Sequence, residues 1–232
     1  MRQFAMAILA MAMALSTPAR AQSVDTPRFT RCADALIFYV PGDYYFCVGA
    51  GRQLAGHPKI ALDYFERAAG WGHKKAQYLL GLMYFQGDGT PVNRPLGLAW
   101  LTLAAEREDR DMEAARAFAL RNVSELERTQ AEQLLAAMRP IYADSVTVER
   151  AAKRFARETR TLRRSQLYDP FSPIYIAGFG MGTPSSLLRR MDDRAEEFFE
   201  GARSGDVGVG ALEVVEKSED GIEEGPSKGD DP

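Results

Sequence analysis

Residues able to do chemistry are few in this chain of 232, and their spacing limits what they can do. The two cysteines, Cys32 and Cys47, form no C-x-x-C unit, which removes support for redox catalysis or a zinc cluster. An even, closely spaced pair in an oxidising compartment reads instead as a disulfide. A bridge over a loop of that length contributes about 3 kcal/mol in the chain-entropy picture. The two histidines, His57 and His73, sit at a turn and a helix start without a partner at i+4, which fits capping and packing rather than metal. Gly178-Phe179-Gly180-Met181-Gly182 lacks the G-x-G-x-x-G spacing, a βαβ frame and a following lysine. It reads as a flexible or tightly turned loop. No nucleophile elbow or S-x-x-K motif occurs. The expectation is no catalytic residue, no cofactor and no metal.

What remains is electrostatic. Residues 150–164 hold seven basic residues and one acidic residue. At helical spacing Arg150, Lys153, Arg154, Arg157, Arg160 and Arg164 fall along one face, with Val148, Ala152, Phe155 and Leu162 along another. Arginine recognises phosphates and carboxylates bidentately. This face is therefore a candidate surface for an anionic envelope polymer, an anionic lipid or an acidic protein. Residues 202–232 hold nine acidic and three basic residues, and from Glu216 they are too polar to fold alone. That opposed block reads as a disordered acidic tail able to fold back on the basic helix. A net charge of −3 gives no case for nucleic acid, which export would also oppose.

Export is read from the N-terminus. Arg2 is a basic n-region, Ala5 to Ser16 is an unbroken apolar run, and Thr17-Pro18-Ala19-Arg20-Ala21 ends in a small-x-small cleavage site. The run is too short to span a bilayer, so residues 1–21 read as a signal peptide and the mature chain as starting at Gln22. The expected location is periplasmic or secreted, with no transmembrane segment after processing.

The elements that must position these residues are helical. Thr26-Pro27 opens a first helix carrying Phe29, Cys32, Leu36 and Val40 on one face, and Pro41-Gly42-Asp43 caps a second from about Tyr44 to Ala55. Cys32 and Cys47 then lie on adjacent antiparallel helices. Further helices are expected from Pro58 to Ala69, His73 to Gln86, Pro95 to Glu106, Asp111 to Arg121, Glu125 to Arg139, Val146 to Arg164 and Ser185 to Phe199. Ser124 and Glu127 form a capping box. Ile174-Tyr175-Ile176 reads as a short strand.

Two of these helix pairs repeat. Leu62, Tyr64, Phe65, Ala68 and Ala69 return as Leu98, Trp100, Leu101, Ala104 and Ala105, and Phe46-Cys47-Val48-Gly49 matches Tyr78-Leu79-Leu80-Gly81. Small residues let helices approach, and aromatics fill the grooves between pairs. Ala76-x4-Gly81-x2-Tyr84-x2-Gly87-x-Gly89, followed by Ala99-Trp100 and Ala104-Ala105, resembles the Sel1-like repeat, a relative of the tetratricopeptide repeat, over roughly residues 46–121. Asn93 stands where an acidic residue is common and Glu108-Asp109 where Gly-His is common, so the array is expected to end there. Together with the N-terminal signal pattern, the chain is expected to be an exported bacterial member of that family. The resemblance implies a short right-handed all-α solenoid of antiparallel helix pairs, with Gly81, Tyr84, Gly87 and Trp100 as structural repeat positions, used as a scaffold.

The expected organisation is a signal peptide (1–21), an N-terminal helical hairpin (22–57), a repeat core (58–122) and capping helices (123–166). A loop and final helix (167–201) and the acidic tail (202–232) follow. The leading function is a protein- or peptide-binding scaffold of the cell envelope. The rivals are a weak envelope enzyme acting on cell-wall or β-lactam substrates and a polyanion-binding module built on the basic helix.

Overall fold

Caps decide where the helices of this chain begin and end. In the computed structural model, which describes residues 32–199 and Ala202, Pro41 starts α2 (Pro41–Leu54) and Pro58 starts α3 (Pro58–Ala69). Proline suits the first turn because its missing N–H would have no partner there. His73 caps α4 (Lys74–Gln86), its Nδ1 accepting from the Ala76 N–H at 3.2 Å. Gly87 closes that helix in the left-handed region, its N–H donating to the Met83 carbonyl. Asn93 caps α5 (Arg94–Ala104) by accepting from the Leu96 N–H. The capping box at Ser124 starts α7 (Glu125–Tyr142) with both of its reciprocal hydrogen bonds made.

The remaining described elements are α1 (Leu36–Tyr39, a single turn), a 3₁₀ turn (Ala105–Arg107), α6 (Arg110–Arg121), α8 (Asp144–Tyr168) and α9 (Pro184–Phe199). A small antiparallel hairpin of β1 (Ile174–Ile176) and β2 (Gly180–Gly182) lies before α9. The expected signal peptide, the start of the expected first helix and the acidic tail beyond Ala202 lie outside the described residues.

Helices pack as sequential pairs, α2 on α3 and α4 on α5, with α3 on α4 joining them into an all-α solenoid. The two pairs make the same contact. A side chain at Gly49 would meet Phe65 at 2.8 Å, and one at Gly81 would meet Leu101 at 2.5 Å. These are the positions that the internal repeat equates. Between α4 and α5 the approach is backbone to backbone, since a Cβ on Gly97 would meet the Gly81 carbonyl at 2.8 Å. The core gathers here around Phe65, Leu80, Leu98, Leu101 and Leu103, all essentially inaccessible. Trp100 closes its far side, edge-on to Tyr142 of α7.

Beyond the second pair the regularity stops. α7 packs chiefly on α5 rather than on α6, and α9 packs on α8. A second apolar cluster of Leu162, Phe179, Leu187, Leu188 and Met191 seats the hairpin. Ile174 and Ile176 face that cluster, while Tyr175 and Met181, opposite each other in register, are exposed.

Three expectations are corrected. Cys32 precedes α1 rather than standing on a long helix, and it still bridges Cys47 of α2 across a Cα separation of 5.8 Å. Ile174–Ile176 is the expected strand, but Gly180–Gly182 of the run read as a loop pairs with it as a second strand, because Gly178 and Gly180 take the left-handed conformation that the tight reversal needs. On α8 the buried stripe runs through Thr147, Ala151, Thr159 and Leu162, and Ala152 is exposed. Ala152 sits one position off the stripe that faces α9.

Candidate functional site

Lysine is rarely buried, and Lys74 is only 7% exposed at the first turn of α4. Four acceptors surround its Nζ: Glu106 Oε2 at 2.6 Å, the Leu103 carbonyl at 2.8 Å, Gln77 Oε1 at 3.0 Å and Asp144 Oδ1 at 3.1 Å. Arg107 clasps the same Asp144 bidentately, at 2.7 and 3.0 Å, and donates to the Phe198 carbonyl at 2.6 Å. Glu106 accepts in turn from the Asp144 N–H. Burial alone would raise the pKa of Asp144, but the Arg107 hydrogen bonds and the Lys74 charge hold it below the usual carboxylate value. Two cations and two carboxylates thereby pin the starts of α4 and α8 to the end of α9.

Above this floor opens a cavity of about 630 Å³. Asp43 of α2, His73 and Lys75 at the start of α4, Asp109 at the start of α6, and Arg194 and Glu197 of α9 line it. It lies where successive repeat units present the same feature thirty-six positions apart. Gly72 and Glu108 both take positive φ, +84° and +56°, and His73 and Asp109 both cap the helix that follows. Glu108 and Asp109, two of the three departures from the repeat pattern, thus keep the geometry of Gly72 and His73.

His73 stacks on Phe46 at 4.2 Å and directs Nε2 at Asp43, 3.7 Å away. Because Nδ1 accepts from a backbone N–H, the neutral ring carries its proton on Nε2. No lone pair is left to accept a substrate proton. Burial, reinforced by the charges of Lys75 and Arg107, lowers the pKa of His73 to about 3. Burial likewise raises that of Asp43, against the opposing Arg194, which donates to Asp43 Oδ2 at 2.5 Å. A histidine depressed in the fold binds more protons when unfolded, so its contribution is present above the unfolded value of about 6.5 and is lost as pH falls below it. Asp43, raised in the fold, works in the opposite sense at lower pH. Between pH 6 and pH 5 the histidine dominates, and stability is expected to fall by about 1 kcal/mol. His73→Asn keeps a capping oxygen, so urea melts of this variant should lose that slope. An unchanged slope would mean that another group titrates.

The cavity lining holds no serine, threonine or cysteine among the described residues. The disulfide lies outside it, and His57 is absent from its walls. Nor does the cavity contain the expected basic face, which the fold divides. Arg150 donates to the Gly70 carbonyl at 2.5 Å and Arg154 to the Phe38 carbonyl at 3.0 Å, so both tie α8 to its neighbours. Lys153 pairs with Glu149, and Arg157 with Glu158. Arg160 and Arg164 are exposed without an ion pair among the described residues. Of the repeat positions, Trp100 is buried in the core, and Tyr84 donates from its hydroxyl to Glu66 at 2.9 Å.

Sequence reasoning passed over Lys74, Lys75, Arg107 and Arg194. One local signal was present: two lysines open α4, where the helix dipole disfavours cations. Such placement needs carboxylates from elsewhere, and Glu106 and Asp144 supply them to Lys74.

The family model for the Sel1 repeat matches residues 42–70 and 74–109. No curated protein and no solved structure matches the chain. Repeats of this kind are generally protein–protein interaction modules.

Proposed function

We propose that this Sel1-repeat chain is an interaction scaffold of the cell envelope that holds a polypeptide segment of a partner in the cavity between α2, α4, α6 and α9. The cavity carries the reading. It joins the starts of equivalent helices in two repeat units, and charged groups of both signs line it. The Lys75 ammonium and the guanidinium of Arg194 suit a carboxylate of the segment, while Asp109 and Glu197 suit a basic side chain or backbone N–H. Extracytoplasmic location is supported by the N-terminal apolar run with its cleavage pattern and by the Cys32–Cys47 disulfide.

The enzyme reading draws no support from His73, whose accepting nitrogen is occupied. The polyanion reading loses Arg150 and Arg154 to carbonyls inside the fold. A photo-crosslinking residue at Met112, on the cavity wall, tests the scaffold. We expect a discrete polypeptide adduct that Lys75→Glu with Arg194→Glu abolishes. An equal adduct from Leu126, on an exposed face away from the cavity, would overturn the reading.

A further inference from the structure

The far end of α8 departs from the rest of the surface. Among the described residues twelve large apolar side chains are exposed, and five of them fall within residues 167–181. Leu167, Tyr168 and Phe171 are 80%, 83% and 86% exposed. Tyr175 and Met181 add the outward face of the hairpin. Scattered apolar residues need no explanation, whereas a concentration on one tip does.

The same tip is cationic. Residues 160–190 include five arginines and a single acidic residue, Asp169, whose carboxylate accepts from the Ser172 N–H. Arg160, Arg164 and Tyr168 recur at four-residue spacing, so they form one stripe running off the end of α8. Arg160, Arg164 and Arg189 have no ion pair among the described residues. Arg163 pairs with Asp192 of α9, and Arg190 donates to the Met181 carbonyl. A further bond, Gln166 to Ser185, fastens the two helices there. The hairpin is held from beneath by Ile174, Ile176 and Phe179, so its exposed face is presented on a fixed support.

We infer that this end docks on the surface of an anionic lipid bilayer, with Phe171, Tyr168 and Leu167 entering the headgroup–acyl boundary and Arg160, Arg164 and Arg189 meeting lipid phosphates. Aromatic side chains with a polar tip suit the interface, and each arginine strengthens binding to an anionic leaflet roughly fivefold. A protein partner would want opposed carboxylates matched to each arginine. A bilayer asks only for apolar groups at the tip and unpaired cations behind them, and the tip has both. The cavity opens among other residues, so docking and segment binding make separate use of the chain.

Vesicle binding of the full chain, compared variant by variant, tests this. Differences between variants cancel whatever other parts of the chain touch lipid. With phosphatidylglycerol–phosphatidylcholine vesicles, Arg160→Ser with Arg164→Ser should weaken binding about twentyfold or more. Leu167→Ser with Phe171→Ser should weaken it at least about tenfold. The arginine loss should disappear on pure phosphatidylcholine, where the arginines gain nothing, while the loss from the apolar pair should persist. All four side chains are exposed, so unchanged melting of the variants confirms that folding is intact. A Phe171→Trp probe should be quenched by brominated acyl chains. Equal binding by every variant, or no quenching at position 171, would overturn the proposal. So would a dimer in solution that Leu167→Ser with Phe171→Ser dissociates, since a second copy would then cover the tip.

Discussion

Replacing Trp100 by alanine is expected to lower the free energy of unfolding by about 3–5 kcal/mol. Trp100 is 3% exposed and meets the Tyr142 ring edge-on, with centroids 4.7 Å apart. It therefore joins the second repeat pair to α7, where the regular array ends. Its neighbours Leu98, Leu101 and Leu103 are buried in the same cluster, so truncation would open a cavity inside the core. For a domain of this size such a loss corresponds to roughly 6–20 °C in melting temperature. Trp100→Phe keeps an aromatic in the groove and should cost less than half as much. Thermal and urea melts followed by far-ultraviolet circular dichroism decide the matter. An alanine variant that melts with the wild type would show that the groove is not packed as described.

Asp144→Asn should be of comparable size, about 3–5 kcal/mol, through a different cause. The carboxylate serves Lys74 and Arg107 together, and the amide would offer one acceptor while turning an N–H toward a cation. Glu106 alone would then face two buried cations. The pH dependence follows from the depressed pKa. The stabilisation is fully present above the unfolded value of about 3.9 and is lost as pH falls through the lower folded value. Wild type should therefore lose stability steeply below about pH 4, and the asparagine variant should lack that part of the acid limb. A double-mutant cycle with Arg107→Gln should return a coupling of more than about 1 kcal/mol. Additive losses would mean that the two groups do not act as one network.

Local signals made much of the fold legible. The capping box at Ser124, the prolines at 41 and 58, and the repeated small and aromatic positions fix helix starts and pairings through contacts a few residues long. Cys32 and Cys47 were readable as a bridge because they are the only two and lie close in sequence. Part of the expected basic face serves the fold instead, for a physical reason. Arg150 reaches the Gly70 carbonyl eighty positions away, and helical spacing cannot show that a guanidinium has found a carbonyl elsewhere. The cavity was hidden for the same reason. Its walls are drawn from α2 to α9, and only the repeat alignment of His73 with Asp109 hinted that two helix starts converge.

The return of α9 to the first repeat has a consequence for how this molecule could grow. Arg194 reaches Asp43 across 151 positions, and Phe198 lies against Gly42 and Arg107. An open solenoid lengthens freely, because a duplicated unit touches only its neighbours. Here an extra helix pair between α5 and α6 would carry α9 away from α2 and break both contacts. Duplication, the ordinary route by which repeat families change length, is thus obstructed. The same latch ties distant segments to one another, so a variant lacking α9 is expected to melt over a broader temperature range than the full chain.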